Sequence, residues 1–373
     1  MVLSKPFTTP KHSDILPIIT NLNNESSEKM IEKAQSLYTQ ELPFVCTKQP
    51  FSNKVNLYWQ TDNTLHYFRE NQLTNGFLFA PFSSDSPTVF LPFSAENTLE
   101  SYLPTEKADI PTQTALPNNE TEKAQHIALV AKAVQAIQEG KLQKVVLSRK
   151  ITLNKAADPL KSFQNMLVSY PSAYCYLFYH PQVGTWLAAT PEVLLHHQNG
   201  HFSTMALAGT QPFKEGEILW HTKEKEEQQI VTNTIVTQLE GYATCCEVTP
   251  AKTVRAGGIV HLCTEIKGDL PNNLVFKTVE RLHPTPAVCG YPTDKARQFI
   301  LENEPYHRKY YTGYCGEMQE GKELRLYVNL RCMEISNSDT YLYVGGGITK
   351  DSVPEKEYEE TQNKAQTMYK IIA

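Results

Sequence analysis

Apolar residues recur along this chain at two different periods. In Thr121–Glu139, the residues Ile127, Val130, Ala131, Val134 and Ile137 fall at helical spacing, and Gly140 supplies the stop. Ser27–Gln40, the polar stretch Thr222–Gly241 and Pro354–Ile371 predict three more helices. Runs rich in β-branched and aromatic residues predict strands at Lys54–Gln60, Gly76–Phe82, Lys144–Leu153, Ala173–His180, Thr185–His196 and Phe202–Ala208. Glu323–Ile335 alternates, with Leu324, Leu326, Val328 and Leu330 on one face and Arg325, Tyr327, Asn329 and Arg331 on the other. The turn Ser336–Asp339 then leads into Thr340–Val344, a hairpin signal. Strands follow one another through short turns, and helices come only at intervals. The pattern therefore predicts a largely antiparallel α+β fold, not regular βαβ alternation. Neither phosphate-cradling glycine motif nor a solenoid repeat is present.

Composition narrows the class. A chain of 373 residues buries a substantial core without disulfide staples, and 40% hydrophobic with 20% charged residues is globular. The net charge of -5 is unclustered, which excludes an electrostatic footprint for nucleic acid or an anionic membrane. Met1–Lys11 has no apolar run of a signal peptide, and no stretch approaches a membrane span. The eight cysteines form no C-x-x-C pair and mostly sit in apolar runs, so reduced core thiols in a cytoplasmic protein are expected. Pro104–Thr121 turns to Pro, Thr, Asn and Glu, a surface connection. It divides a variable N-terminal part, 1–115, expected to complete the same compact unit, from a main region at 116–373.

Chemistry enters with a repeated spacing. Glu224 and Glu227 stand three apart near one helix start, and Glu357 and Glu360 near another. Such pairs share a helix face, and two faces meeting would gather four carboxylates, a donor set for Mg²⁺. Solvated acidic first turns are the plain alternative for either pair alone. The surroundings change that. Gly345-Gly346-Gly347 follows a strand and can turn backbone amides toward an anion, and Lys364 lies one turn beyond Glu360.

From about residue 120 onward the chain resembles the chorismate-utilising enzymes: isochorismate, salicylate, anthranilate and aminodeoxychorismate synthases. The segments that carry the resemblance occur in the family's order. They are Lys144–Arg149, Ala189–Leu195, Leu207–Thr210, Lys223–Glu227, His261-Leu-x-Thr264-x-x-x-Gly268, His283–Ala287, Arg308-x-x-Tyr311-x-Gly313, Arg331 and the glycine run with Glu357-x-x-Glu360-Thr-x-x-Lys364. Gln228, Cys289 and Lys309 depart from the usual His, Gly and Gly.

The resemblance implies two packed antiparallel sheets with helices outside, chorismate as substrate and Mg²⁺ as cofactor. It implies Lys144 as the base that activates water and Glu192 as the acid that protonates the departing hydroxyl. Substrate contacts are implied at Gly209, Thr210, Thr264, His283, Ala287, Tyr311, Arg331, Gly345, Gly346 and Lys364. The metal falls to Glu227 and Glu360, with Glu224 and Glu357 beside them. For His283 a turn or core role stands as the alternative, for Lys144 a water-facing edge lysine, and for Glu192 an exposed strand end. Within the family Lys144 disfavours the ammonia users, and Ala208 disfavours one type of aminodeoxychorismate synthase. The expectation is an isochorismate synthase working as a monomer without a glutaminase subunit, feeding menaquinone or siderophore synthesis. Salicylate synthase is the alternative, and a non-catalytic anion- or metal-binding relative is the alternative of another class.

Overall fold

The structure, a computed structural model, describes residues 22–70, 74–83, 85–103, 116–117, 119–216, 218–256 and 258–373. The expected leaderless start at Met1–Lys11 and most of the predicted connection at Pro104–Thr121 lie outside the described residues.

The strands form two large sheets in which each recorded pairing is antiparallel. One is nine-stranded, in the order Gly290–Tyr291, Lys144–Leu153, Thr340–Ile348, Cys332–Ile335, Gly184–Thr190, Tyr174–His180, Phe44–Lys48, Lys54–Trp59, Thr98–Tyr102. The other is ten-stranded. Its path runs Thr244–Val248, Ile259–Asp269, His201–Pro212, Val193–Gln198, Glu323–Val328, Tyr314–Gln319, Gly76–Ala80, Val89–Pro92, His66–Tyr67, and Lys252–Ala256 pairs with Ile259–Asp269 beside it. Strands from the first hundred residues thus sit in both sheets.

The period-two pattern explains how the sheets stack. In Tyr174–His180, the residues Tyr174, Tyr176 and Phe178 point to the second sheet and meet Phe77, Phe79 and Tyr327 there, with Trp186 of the next strand. Tyr174 stacks on Tyr327 at 4.1 Å between ring centroids. The alternate residues Cys175, Leu177 and Tyr179 face outward under Met30, Leu37, Phe163 and Met368 from three helices. With both faces covered, that strand is buried at all seven positions, which is why it reads as a continuous apolar run rather than an alternating one. On the outer face of the second sheet, Val231, Ile235 and Leu239 of helix Thr222–Leu239 and Val279 of helix Val275–Leu282 pack on Ala206, Ile266 and Leu326. This is the α+β sandwich with helices outside that the sequence led us to expect.

Two expected strands are each two. Thr185–His196 breaks at Pro191, which has no N–H for a ladder, into Gly184–Thr190 of the first sheet and Val193–Gln198 of the second. Glu323–Ile335 ends as a strand at Val328 in the second sheet and resumes at Cys332 in the first, with Arg331 between them at φ 48°. The hairpin around Ser336–Asp339 therefore joins Cys332–Ile335 to Thr340–Ile348. Alternation persists through Leu330 and Arg331, but Arg331 is on no strand face. The two crossovers lie side by side. Thr190 Oγ1 donates to the Val328 carbonyl at 2.6 Å, the Val328 N–H to the Glu192 carbonyl at 3.0 Å, and the Ala189 N–H to the Arg331 carbonyl at 3.2 Å.

Candidate active site

A cleft opens beside these crossovers. Its wall includes Glu192 and Arg331 from the crossovers, Leu207–Thr210 from one sheet, Gly345–Gly347 from the other, and Glu224, Glu227, Glu360 and Lys364 from two helices. Ala287 and Tyr311 line it too, and Tyr311 stacks on Tyr343 at 5.5 Å.

Local structure aims each group. Gly209 sits at φ +67°, where the register between His201–Pro212 and its neighbour slips between Ala208 and Thr210. A β-carbon at Gly209 would lie 3.1 Å from Glu224 Cβ. Helix Thr222–Leu239 is pinned by Gln228, whose Nε2 donates to the Ala206 carbonyl at 2.9 Å and to Thr264 Oγ1 at 3.1 Å. The glutamine thus supplies the donor that turns Glu227, one residue earlier, toward the cleft. Helix Pro354–Tyr369 begins on proline and buries Tyr358, Thr361, Ala365 and Met368. Its partner strand Lys144–Leu153 reaches it through Arg149, whose Nε donates to Thr361 Oγ1 at 2.8 Å.

Lys144 is fully buried, not a water-facing edge lysine. Its amine stands 2.9 Å from Glu227 Oε1, an ion-pair distance without hydrogen-bond alignment. It is not on the cleft surface itself but directly behind Gly347, where an added β-carbon would come within 3.2 Å of Lys144 Cε and 2.6 Å of Glu227 Oε1. One residue along, a β-carbon on Gly346 would lie 3.7 Å from both Glu357 Oε2 and Glu360 Oε1. Glu227 thus stands beside Gly347 and Glu357 and Glu360 beside Gly346, and Glu224, Glu227 and Glu360 line the same cleft. Glu360 Oε1 also holds Lys364 Nζ at 2.7 Å, and that amine donates to the Gly345 carbonyl at 3.1 Å. Among the described residues no three His, Cys, Asp or Glu side chains are gathered closely enough to hold a metal unaided. Carboxylates alone are a donor set that suits a hard cation, which completes its shell with water and other oxygens.

Glu192 is buried, and desolvation pushes its carboxyl up to about 8, against the pull of Lys144, Thr285 and Arg331. The group is therefore mostly protonated at neutral pH. Burial lowers Arg331 to about 10, which leaves it cationic.

His261 was quoted above only within a motif, yet it stands on the cleft wall. Its Nδ1 lies 3.0 Å from the Gly209 carbonyl, an oxygen that can only accept, so Nδ1 carries the proton. Nε2 then accepts from Arg331 Nη2 at 3.0 Å. Burial, with Arg331 and Lys364 nearby, lowers this imidazole to about 3, so it stays neutral. The signal is phase: Thr264 lies three residues from His261, an odd step that puts the two on opposite faces of the strand. Thr264 accordingly faces the helix and Gln228, and it does not line the cleft. His283 is likewise elsewhere. Its Nε2 donates to the Pro81 carbonyl at 3.1 Å and its ring packs edge-on against Tyr314. Desolvation takes it down to about 4. It is a half-buried histidine that packs away from the cleft.

The chain matches the family model "Chorismate binding enzyme" over residues 88–373. It is 30% identical over 265 residues to isochorismate synthase DhbC of Bacillus subtilis (strain 168), covering 65% of this chain and 66% of that one. It is 33% identical over 249 residues to isochorismate synthase MenF of Escherichia coli (strain K12), covering 64% and 57%. The matched segment thus spans somewhat less than two thirds of these relatives. The crystal structure of DhbC from Bacillus anthracis superposes with a TM-score of 0.75 at 24% identity, over 92% of this chain and 99% of that chain, a likeness of fold. With the family match running from residue 88 to the last residue, through every segment of the cleft, this chain belongs to the chorismate binding enzyme family.

Proposed function

We propose that this protein is an isochorismate synthase, which adds water at ring carbon 2 of chorismate while the hydroxyl leaves from carbon 4. The observation that carries this reading is Glu192, a buried carboxyl that desolvation raises to about 8, in a cleft that also holds Arg331 and Lys364. Hydroxide is a poor leaving group, and a neutral carboxylic acid is the group that can protonate it as it departs. Lys144 occupies the position that the family resemblance assigns to water activation. Its burial beside Glu227 fixes the position of the amine and leaves a carboxylate beside the ammonium that forms when the neutral amine takes a proton from water. Arg331 is built for a bidentate carboxylate contact, with His261 restraining one nitrogen of its fork. Lys364 and the glycine-run amides suit the second carboxylate. Glu227 and Glu360, flanked by Glu224 and Glu357, would hold a magnesium ion, which supplies positive charge against a substrate carboxylate.

The relatives named isochorismate synthases support this choice within the family. The test is incubation of the protein with chorismate, with magnesium and with a chelator, followed by chromatography. Isochorismate formed only with magnesium is the expected result. Salicylate with pyruvate would make it a salicylate synthase, and unchanged chorismate would leave a non-catalytic relative.

A further inference from the structure

Cys245 and Cys246 are adjacent in sequence, and both are exposed, whereas the other six cysteines are buried. On a regular strand adjacent side chains point to opposite faces, so neighbouring thiols diverge. Thr244–Val248 is not regular. Thr244 pairs with Asp269 and Glu247 with Lys267, so three steps along this strand match two along its partner. The extra residue is a β-bulge, and it falls on the cysteine pair. Cys245 sits at φ 53°, a left-handed conformation that a side-chain-bearing residue rarely adopts. That backbone breaks the alternation at this one step and lets both thiols lie on the same side. The strand is also the last of its sheet, so nothing in the ladder covers them.

We propose that Cys245 and Cys246 form a vicinal dithiol that exchanges with small disulfides and closes into a cyclic disulfide between neighbouring residues. One thiolate attacks the external disulfide, forming a mixed disulfide and releasing one small thiol. The adjacent sulfur then displaces the second small thiol. Two S–H bonds are lost and one S–S bond forms in the protein. The external disulfide is reduced to two thiols, which carry away the protons. Selectivity follows from burial. Desolvation pushes Cys175 and Cys289 up to about 12 and Cys263 to about 11, which keeps them as unreactive thiols. Cys246 is raised only by partial burial and by its neighbour Cys245, and both side chains are exposed to an incoming disulfide.

The experiment uses the full chain, reduced and then incubated with glutathione disulfide. Intact mass and peptide mapping after alkylation read the outcome. The expected product is lighter by two hydrogens, retains no glutathione, and has both Cys245 and Cys246 closed to alkylation. Phenylarsine oxide should protect both thiols of the reduced protein at one equivalent per chain. Cys245→Ser and Cys246→Ser should each instead retain one glutathione and lose that protection. Wild-type protein that retained glutathione on either residue, or became linked to a second chain, would overturn the proposal.

Discussion

The amine of Lys144 lies 2.9 Å from Glu227 Oε1, so the candidate base and one candidate metal ligand are two halves of a single ion pair. Lys144→Ala should lower kcat by about 10²-fold or more, the usual worth of a positioned proton-transfer group. KM should change less, because Arg331 and Lys364 remain. Steady-state kinetics with purified chorismate measure both. A variant with near-wild-type kcat would remove Lys144 from the mechanism.

The pH profile should report Glu192. Its protonated form is the one that can assist departure of hydroxide, and its carboxyl titrates at about 8. The value of kcat/KM should therefore fall on the alkaline side through that region. Glu192→Gln should lose about 10²-fold or more in kcat, and any residual rate should lack this alkaline limb. A limb that survives the substitution unchanged belongs to another group.

The same carboxyl affects stability. Its folded value of about 8 lies above the ordinary 4.5, so the fold favours the protonated form. That contribution is complete below about 4.5 and is lost as the pH rises through about 8. At neutral pH the loss is on the order of a few kcal/mol, since one unit is worth about 1.4 kcal/mol. Glu192→Gln, which stays neutral, should melt higher than wild type at neutral and alkaline pH, with the gap closing near pH 4.5. Thermal melts across that range decide it, and equal melting temperatures throughout would contradict the buried neutral acid.

Gly347→Ala should be a local lesion. The new methyl would stand 2.6 Å from Glu227 Oε1 and 3.2 Å from Lys144 Cε, so the carboxylate must move. Gly347 has no positive φ, and alanine suits its strand. Circular dichroism should therefore look wild-type while turnover collapses. Full activity would show that Glu227 can shift without consequence.

Glu227→Gln and Glu360→Gln should each raise the magnesium concentration needed for half-maximal rate by at least tenfold. Titration of activity against magnesium measures this directly. Turnover by wild type in metal-free buffer would defeat the assignment.

Much of this was legible in the chain, and the exceptions share a cause. Lys144–Leu153 was bounded correctly because a β-branched run flanked by polar residues carries its own ends. The spacing Glu224/Glu227 and Glu357/Glu360 is visible in the sequence, but that Glu224, Glu227 and Glu360 line one cleft is a tertiary event. Arg331 was placed on a strand because alternation continued, with neither glycine nor proline to mark the turn at φ 48°. Pro191, by contrast, did mark its break, and the apolar residues on either side concealed it. His283 and Thr264 sit in the right motifs but point away from the cleft. In the sequence His261 is a single histidine on an apolar strand, with nothing beside it to mark a site. Only the Gly209 carbonyl and the Arg331 guanidinium on either side of its ring reveal its use.

The paired crossovers have a consequence for how activity arises during folding. Glu192 and Arg331 are far apart in sequence, and each occupies the short link by which the chain passes from one sheet to the other. Neither sheet alone can hold both in place, so the proposed acid and the proposed carboxylate clamp share one geometry only when both sheets are in place. Such distant pairings form late, because chain closure must precede the contacts that reward it. Catalytic competence would then require both sheets to be closed on each other. Turnover would thus be a more sensitive gauge of an intact interior than any measure of strand or helix content.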